Sequence, residues 1–365
     1  MRLDLFDYRL PPQLIAQRPA PTREGSRLLA VDCEDHSISH RLFPDFLGYL
    51  EQGDCLVFNA SRVRRARLKG RKEGSGGKVE LLLIRAREDG AWEALARPSR
   101  RLRPGTSIHF GAGELQAEVI EKSGRGNVVV AMRPSGVAAV EAAIERLGEM
   151  PLPPYIKEEL DDPERYQTVY AREVGSAAAP TAGLHFDHPT LRALREMGVS
   201  QAFVRLDVGL DTFRPIARDE VEEHRIHAEE ISVDEEACET INAARSAGKR
   251  IVAVGTTVVR ALESAASGGR VKPRRGRTDL FIYPGYRFEA VDCLLTNFHM
   301  PRSSLLLLVC AFAGRELVLE AYRRAVEEGY RFLSLGDACY FHYSRGWIDP
   351  GDTAESRREG QRRDG

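Results

Sequence analysis

Residues 249–266, KRIVAVGTTVVRALESAA, decide the fold. The apolar run Ile251–Val254 has the length of a buried strand. Gly255 then permits a tight turn, and Thr256 and Thr257 open a helical stretch with no intervening loop. A strand feeding directly into a helix is the repeating unit of an α/β protein. The helix entry itself has two readings. A threonine can simply cap the first turn. Alternatively, the free N–H groups and the two hydroxyls can hold a polar or anionic ligand group. Arg260 falls three to four residues after the threonines, on the same side of the helix.

The same texture extends in both directions. Upstream, PTLRALREMG (189–198) reads as a helix closed by Gly198, and QAFVRLDVG (201–209) as a strand. DEEACETINAARSAG (234–248) begins with acids and ends at Gly248, which suits a helix and its dipole. Downstream, TDLFIYPG (278–285) reads as a strand that brings Tyr283 to a sheet end, with Asp279 suited to hold a cation or orient a histidine. Ser303 caps a helix beginning near Leu305, and RELVLEAYRRAVEEG (315–329) supplies another. RFLSLGDACYF (331–341) reads as a last strand. This alternation predicts a mainly parallel sheet.

Residues 61–135 have a different pattern. RARLKGR, KVELLLIRA, WEALARP, SIHFG, LQAEVIE and NVVVAMR are short runs with β-type alternation, separated by the turn signals EGSGG, EDG, RPGT and SGRGN. Such spacing predicts a small antiparallel barrel or sandwich. The predicted architecture is an α/β body from 1–60 and 136–343, with an inserted β-barrel at 61–135. The tail 344–365, ending ESRREGQRRDG, is predicted to be disordered.

Composition narrows the class. The 365 residues are 42% apolar and 29% charged, with a formal net charge of −1. These are globular proportions. The apolar run LLLLVCAFA from Leu305 is about half of what spans a bilayer, and the N-terminus lacks the apolar run of a signal peptide. Six cysteines are scattered with no CxxC pair, which disfavours zinc or dithiol chemistry and points to a reduced, cytoplasmic setting. Neither GxGxxG nor GxxxxGK[ST] occurs where a nucleotide fold requires it.

Three constellations remain. RVRRARLKGRK (62–72) has seven basic residues in eleven and no acid. Arg65, Arg67, Lys69 and Arg71 alternate with Ala66, Leu68 and Gly70, so a strand presents them as one cationic row. RPSRRLR (97–103) and KPRRGR (272–277) add further cations. Such rows suit a phosphate backbone or a merely solvated face. Histidines form the second group: His185, His224, His227 and His299. His224 and His227 are spaced to share a helix face as metal ligands, but no HExxH or cysteine partner supports a metal. The third is GSAAAPTAGLHF (175–186), where the chain thins to small residues before presenting His185. A histidine in such a loop is open to substrate.

Taken together, FDYRLPPQLIAQRP, GDCLVFNASRVRRARL, GEMPLPPYIK, RYQTVYAREVGSAAAPTAGLHF, TFRPI, AVGTTVVRALES, TDLFIYPGYRF, LLTNFHMP and YRFLSLGDA resemble one family, in order and over nearly the whole chain. It is the S-adenosylmethionine:tRNA ribosyltransferase-isomerase family of queuosine biosynthesis. The resemblance implies transfer and isomerisation of the ribosyl part of S-adenosylmethionine onto a 7-aminomethyl-7-deazaguanine at the tRNA wobble position. Epoxyqueuosine forms, and adenine and methionine leave. S-adenosylmethionine is then a consumed substrate, with no cofactor or metal, no membrane and a monomeric enzyme expected.

That chemistry needs a base for the C5′–H acidified by the sulfonium, a proton or hydrogen bond for departing adenine, and a neutral amine. The expected catalytic residues are His185, His227 and His299. Pro180, Thr181, Ala182 and Gly183 would admit the nucleoside, and Thr256, Thr257 and Arg260 would hold a carboxylate or phosphate. Asp279 and Tyr283 would face the sulfonium or a base. Arg62, Arg65, Arg67, Lys69, Arg97 and Arg101 would bind tRNA. The chain departs from the family pattern at Ala60 and Ser61, where Asp-Thr is usual, and at Asp207 and Asp211 in LDVGLDTFRP. Two rival readings stand beside this one: an S-adenosylmethionine-dependent RNA methyltransferase, and a non-catalytic tRNA-binding protein.

Overall fold

A computed structural model describes residues 1–134, 136–209, 216 and 218–343. The tail from 344, Asp211 and all of TFRPI except Ile216 lie outside the described residues. The chain forms two compact units: Met1–Ser61 with Pro154–Glu173 and the chain from Ala179, and Arg62–Pro153 with Val174–Ala178.

In chain order the strands and helices begin with β1 (Arg27–Asp32), β2 (Ile38–Leu42) and β3 (Cys55–Asn59). The second unit follows with β4 (Arg67–Lys72), β5 (Lys78–Ala86), β6 (Trp92–Arg97), β7 (Ser107–Phe110), β8 (Leu115–Lys122), β9 (Asn127–Arg133) and helix α1 (Val137–Leu147). The first unit resumes with α2 (His188–Glu196), β10 (Ser200–Leu206), β11 (Glu229–Val233), α3 (Glu235–Ser246), β12 (Ile251–Val254) and α4 (Thr256–Ala265). It ends with β13 (Arg274–Thr278), β14 (Cys293–Asn297), α5 (Ser304–Ala313), α6 (Arg315–Glu327) and β15 (Ala338–His342).

The body is built on a nine-stranded sheet in the order β13-β11-β10-β3-β12-β14-β15-β1-β2. Four of its eight pairings are parallel and four antiparallel. The sheet is therefore mixed. The three consecutive parallel pairings join β10, β3, β12 and β14, the centre of the sheet. Strands β3, β12 and β14 are buried along their whole length, as strands covered on both faces must be. Hydrophobic periodicity does not reveal strand direction, which is why the antiparallel pairings were not legible in sequence.

Local chemistry explains the helices. Asp234 accepts from the Ala237 N–H at 2.9 Å to cap α3, whose first turn is acidic and last turn basic. Asp187 caps α2 in the same way, from Thr190 at 2.8 Å. Ser303 caps α5, apolar after Ser304, by accepting from the Leu306 N–H. Helix α4 has no side-chain cap: Gly255, at φ +101°, is the cap residue itself. One core of the body gathers Phe43, Phe46, Phe58, Phe186, Leu191, Leu194, Val252, Leu295 and Tyr340.

Two predicted strands differ. The strand expected at 278–285 is Arg274–Thr278, and 279–285 lies outside any strand. Its ladder partner β11 begins at Glu229, paired with Thr278, so nothing remains for Asp279 onward to pair with. The last strand begins at Ala338 rather than Arg331, because Leu333 has φ +70° and breaks the extended run. His224 and His227 follow a short 3-10 turn, Val221–Glu223, and share no helix face.

The second unit is a closed six-stranded antiparallel barrel, β9-β6-β5-β4-β7-β8. Inward residues alternate along its strands, including Leu68, Leu81, Leu83, Trp92, Ile108, Phe110, Val119 and Val130. Helix α1 adds Val140, Ala143 and Ile144 to that core. This is why the unit extends to Pro153, past the expected boundary at 135.

Candidate functional site

An apolar cleft of the body, about 770 Å³ with its open mouth, lies where the parallel strands end. Its wall takes Val208 from beyond β10, Gly255, Thr256 and Thr257 from the β12–α4 junction, and Thr296, Asn297 and His299 from the end of β14. Ala179–Ala182 and the Leu333–Ser334 turn complete it, with Tyr155. Cleft volume and position, outside the carboxyl ends of the strands, are those of a small-molecule site in an open α/β sheet.

The junction explains the thinning of the chain at 179–183. Gly183 sits one residue behind the wall. A Cβ there would lie 2.0 Å from the Tyr170 hydroxyl oxygen, so only glycine fits. Thr256 and Thr257 are not consumed in capping, because Gly255 is the cap. The buried Asn59, at the end of β3, pins Thr257: its Nδ2 donates to Thr257 Oγ1 at 3.2 Å and to the Leu206 carbonyl at 2.9 Å. Thr256 and Thr257, at the start of α4, therefore line the cleft beside Thr181, Thr296, Asn297 and His299.

Two histidines behave differently from ordinary ones. His299 lines the cleft and contacts Thr296 Oγ1 through Nε2 at 2.9 Å. Burial lowers its pKa to about 3, so the imidazole is neutral across the physiological range. His185 does not line the cleft. Its Nδ1 meets Ser26 Oγ at 2.7 Å, its Nε2 faces Asn297 Nδ2 at 3.3 Å, and its ring stacks on Phe43. Since an amide nitrogen can only donate, His185 Nε2 is the acceptor and Nδ1 carries the proton to Ser26. Burial, then the charges of Arg331 and Arg23, lower its pKa to about 3 as well.

Of the residues expected in the site, Pro180, Thr181, Ala182, Thr256, Thr257 and His299 come together on the cleft wall. Arg260 does not. It is buried in an ion pair with Glu229, and its Nε donates to the Leu280 carbonyl at 3.0 Å. Glu229 also accepts from the Gly209 N–H at 2.7 Å, so the pair ties α4, β11 and the chain after β10 together. Asp279 is exposed, Tyr283 packs beside Phe281, and His227 is exposed; none is on the cleft wall. Asp207 is held by Arg205 at 2.6 Å and likewise stays off the wall. Asn297, Thr296, Asn59, Tyr155 and Ser334 were missed. The signal for Asn59 and Asn297 was present, since each is the last residue of a central strand.

Among the described residues no group of three or more His, Cys, Asp or Glu is arranged to hold a metal. No described helix is long and apolar enough to cross a membrane. All six cysteines are buried and unbridged.

The barrel carries the cationic row. Ala66 and Leu68 point inward and Arg67 and Lys69 outward, as the alternation predicts. Acids accompany the row, however. Arg65 lies 3.6 Å from Glu145, Arg67 3.8 Å from Glu80, and Lys69 2.7 Å from Glu149. Arg62 is half-buried; Arg97 and Arg101 are exposed. A groove on the same barrel gathers Lys69, Arg71, Lys78, Arg97 and His109 around a single acid, Glu80. The third basic group falls on β13, the edge strand of the body, where Arg274, Arg275 and Arg277 are exposed.

Comparison with known proteins supplies the context. Residues 3–341 match the family model described as "Queuosine biosynthesis protein". The chain is 55% identical over 339 residues to a protein of Moorella thermoacetica named S-adenosylmethionine:tRNA ribosyltransferase-isomerase, covering 93% of this chain and 99% of that one. A protein of the same name from Pelotomaculum thermopropionicum is 52% identical with the same coverage. Among solved structures, that of an S-adenosylmethionine tRNA ribosyltransferase from Thermotoga maritima matches with a TM-score of 0.53 and 36% identity, covering 92% of this chain and 99% of that one.

Proposed function

Given that the chain belongs to the queuosine biosynthesis protein family, we propose that the cleft at the β12–α4 junction is where it acts as an S-adenosylmethionine:tRNA ribosyltransferase-isomerase. The enzyme transfers the ribosyl part of S-adenosylmethionine to the aminomethyl group of a 7-deazaguanine at the wobble position and isomerises it, releasing adenine and methionine. One observation carries the placement. The start of α4, which has no side-chain cap, its two threonines and a neutral histidine all line one apolar cleft of about 770 Å³.

Each group has a chemical use. The N–H groups and hydroxyls at the start of α4 suit an electron-rich group of the substrate, such as ribose hydroxyls or a carboxylate. His299, neutral at physiological pH, accepts a hydrogen bond or a proton; it has no imidazolium proton to donate. Adenine departure is therefore assisted by neutral donors in the wall, such as threonine or asparagine groups. His185 serves this site from behind, by orienting the Asn297 amide. Arg260 acts as a positioning residue through Glu229 rather than as a ligand for substrate. The outward cations of the barrel, Arg97 and the groove residues above all, suit the phosphate backbone of the tRNA.

The test is direct. Protein is incubated with S-adenosylmethionine and tRNA carrying the deazaguanine precursor, and products are read by mass spectrometry. Epoxyqueuosine in the tRNA and free adenine are expected, with turnover lowered by Thr257→Val and His299→Asn. S-adenosylhomocysteine in place of adenine would sink the proposal.

A further inference from the structure

A second cavity, of about 300 Å³ with its open mouth, lies in the same unit as the cleft. Three arginines line it, Arg23, Arg165 and Arg331, together with His185, Ser26 and Ser334, and the wall holds no carboxylate residue. Ser334 lines both cavities. His185 on one wall is hydrogen-bonded to Asn297 on the other.

The charge balance of this cavity is unusual. Arg23 donates only to the carbonyls of Leu184 and Glu164, at 3.3 and 3.2 Å. Arg165 donates to the carbonyls of Pro21 and Ala20, at 3.0 and 2.7 Å, and its buried Nε has no hydrogen-bond partner. Neither arginine makes an ion pair among the described residues; Arg331 alone has one, with Asp337 at 3.3 Å. Burial lowers the Arg23 pKa, and the charge of Arg165 lowers it further, against a weaker pull from Asp162 and Asp187. Half-buried like charges held together with one ion pair among three are costly, and a bound anion relieves that cost. The turn that closes the cavity is tightly built. A Cβ on Gly336 would fall 2.3 Å from the Arg331 carbonyl oxygen, so the chain must be glycine there.

We propose that this cavity is a phosphate subsite, where Arg23, Arg165 and Arg331 hold a backbone phosphodiester of the tRNA next to the nucleotide whose base enters the cleft. The inference rests on the reading of the cleft given above. Charge selects among the anions the reaction offers. S-adenosylmethionine carries a sulfonium and an ammonium against one carboxylate, and three guanidinium groups repel it. A phosphodiester is an anion with no attached cation, and its oxygens match the guanidinium fork.

The experiment compares Arg23→Ala, Arg165→Ala and the charge-retaining Arg165→Lys. Dissociation constants for the precursor tRNA and, separately, for S-adenosylmethionine are measured between about 50 and 200 mM salt. Each alanine variant is expected to weaken tRNA binding roughly tenfold. Each should also reduce the slope of log affinity against log salt by about 0.7 to 0.9, with S-adenosylmethionine affinity within about twofold of wild type. Arg165→Lys should keep the wild-type slope. Should an alanine variant prove unstable, Arg23→Gln removes the charge while keeping an N–H donor for the carbonyls. Weakened S-adenosylmethionine binding with unchanged tRNA binding would overturn the proposal in favour of the methionine carboxylate. An unchanged salt slope in the charge-removing variants would overturn it outright. Failure of the underlying reading looks different: wild-type protein would then yield no epoxyqueuosine at all.

Discussion

His185 offers the sharpest test of how the site works, because a proton shuttle and a positioning residue respond oppositely to His185→Gln. Glutamine can accept from Asn297 Nδ2 and donate to Ser26 Oγ, reproducing both hydrogen bonds of the imidazole. It loses the stack on Phe43, whose ring centroid lies 5.2 Å away, at about 0.5–1.5 kcal/mol. His185→Ala loses the stack, leaves the buried Ser26 hydroxyl unpartnered and leaves Asn297 Nδ2 only its long bond to the Asp337 carbonyl, at about 1–3 kcal/mol for each group. The alanine variant should therefore lose about 2.5–7.5 kcal/mol, a large share of a typical folding stability of about 5–15 kcal/mol. The glutamine variant should stay within about 2 kcal/mol of wild type.

The acid limb adds an independent check. With a folded pKa of about 3 and an unfolded value near 6.5, His185 binds protons mainly in the unfolded state between those values. Its contribution is complete above about pH 6.5 and is lost as pH falls toward about 3. Between about pH 7 and pH 5 the loss is roughly 2 kcal/mol, and His185→Gln removes it. Urea denaturation of wild type and His185→Gln at both pH values should show their stability difference moving by that amount in the variant's favour. Turnover of His185→Gln should remain within about tenfold of wild type, with an unchanged pH–rate profile. A folded His185→Gln protein that loses turnover by about a thousandfold and drops one limb of that profile would refute the positioning role. Parallel stability curves would refute the buried neutral imidazole.

Other expectations follow from the same geometry. Glu229→Gln leaves the Arg260 charge buried without its partner and should lower stability by about 3–5 kcal/mol in urea melts. Glu263 is buried and accepts from the N–H groups of Glu289 and Ala290 and from the Tyr286 hydroxyl, and burial raises its pKa to about 7. A raised acid is stabilising at low pH and loses that contribution as pH rises from about 4.5 to 7. Glu263→Gln should therefore gain roughly 2 kcal/mol relative to wild type when melts at about pH 5 and pH 7 are compared. On the barrel, Arg97→Glu and Lys78→Glu should weaken tRNA binding several-fold more than Arg67→Glu, whose guanidinium already faces Glu80; equal losses in a filter-binding titration would move the RNA contact elsewhere.

What the sequence by itself determined was local or periodic. The run at 249–266 specified a strand and a helix joined by one glycine, because chain geometry leaves Gly255 few alternatives at φ +101°. Alternation at 67–133 specified short strands with one inward face, since a period of two sorts side chains to one face, and the structure closes them into a barrel rather than a sandwich. Histidines and arginines were visible as candidates, but their surroundings were not. Arg260 sits three residues beyond Thr257, yet its charge is taken by Glu229, thirty-one positions earlier in the chain. His185 and Asn297 are 112 residues apart and share a hydrogen bond, with Asn297 on the cleft wall and His185 behind it. Tyr283 was expected at a strand end that does not exist, because the pairing partner runs out at Glu229. Burial, pairing partners and the pKa shifts they cause arise from contacts between distant segments. Tertiary structure alone therefore separated the histidine that faces the cleft from the one behind it, and gathered three distant arginines around one cavity.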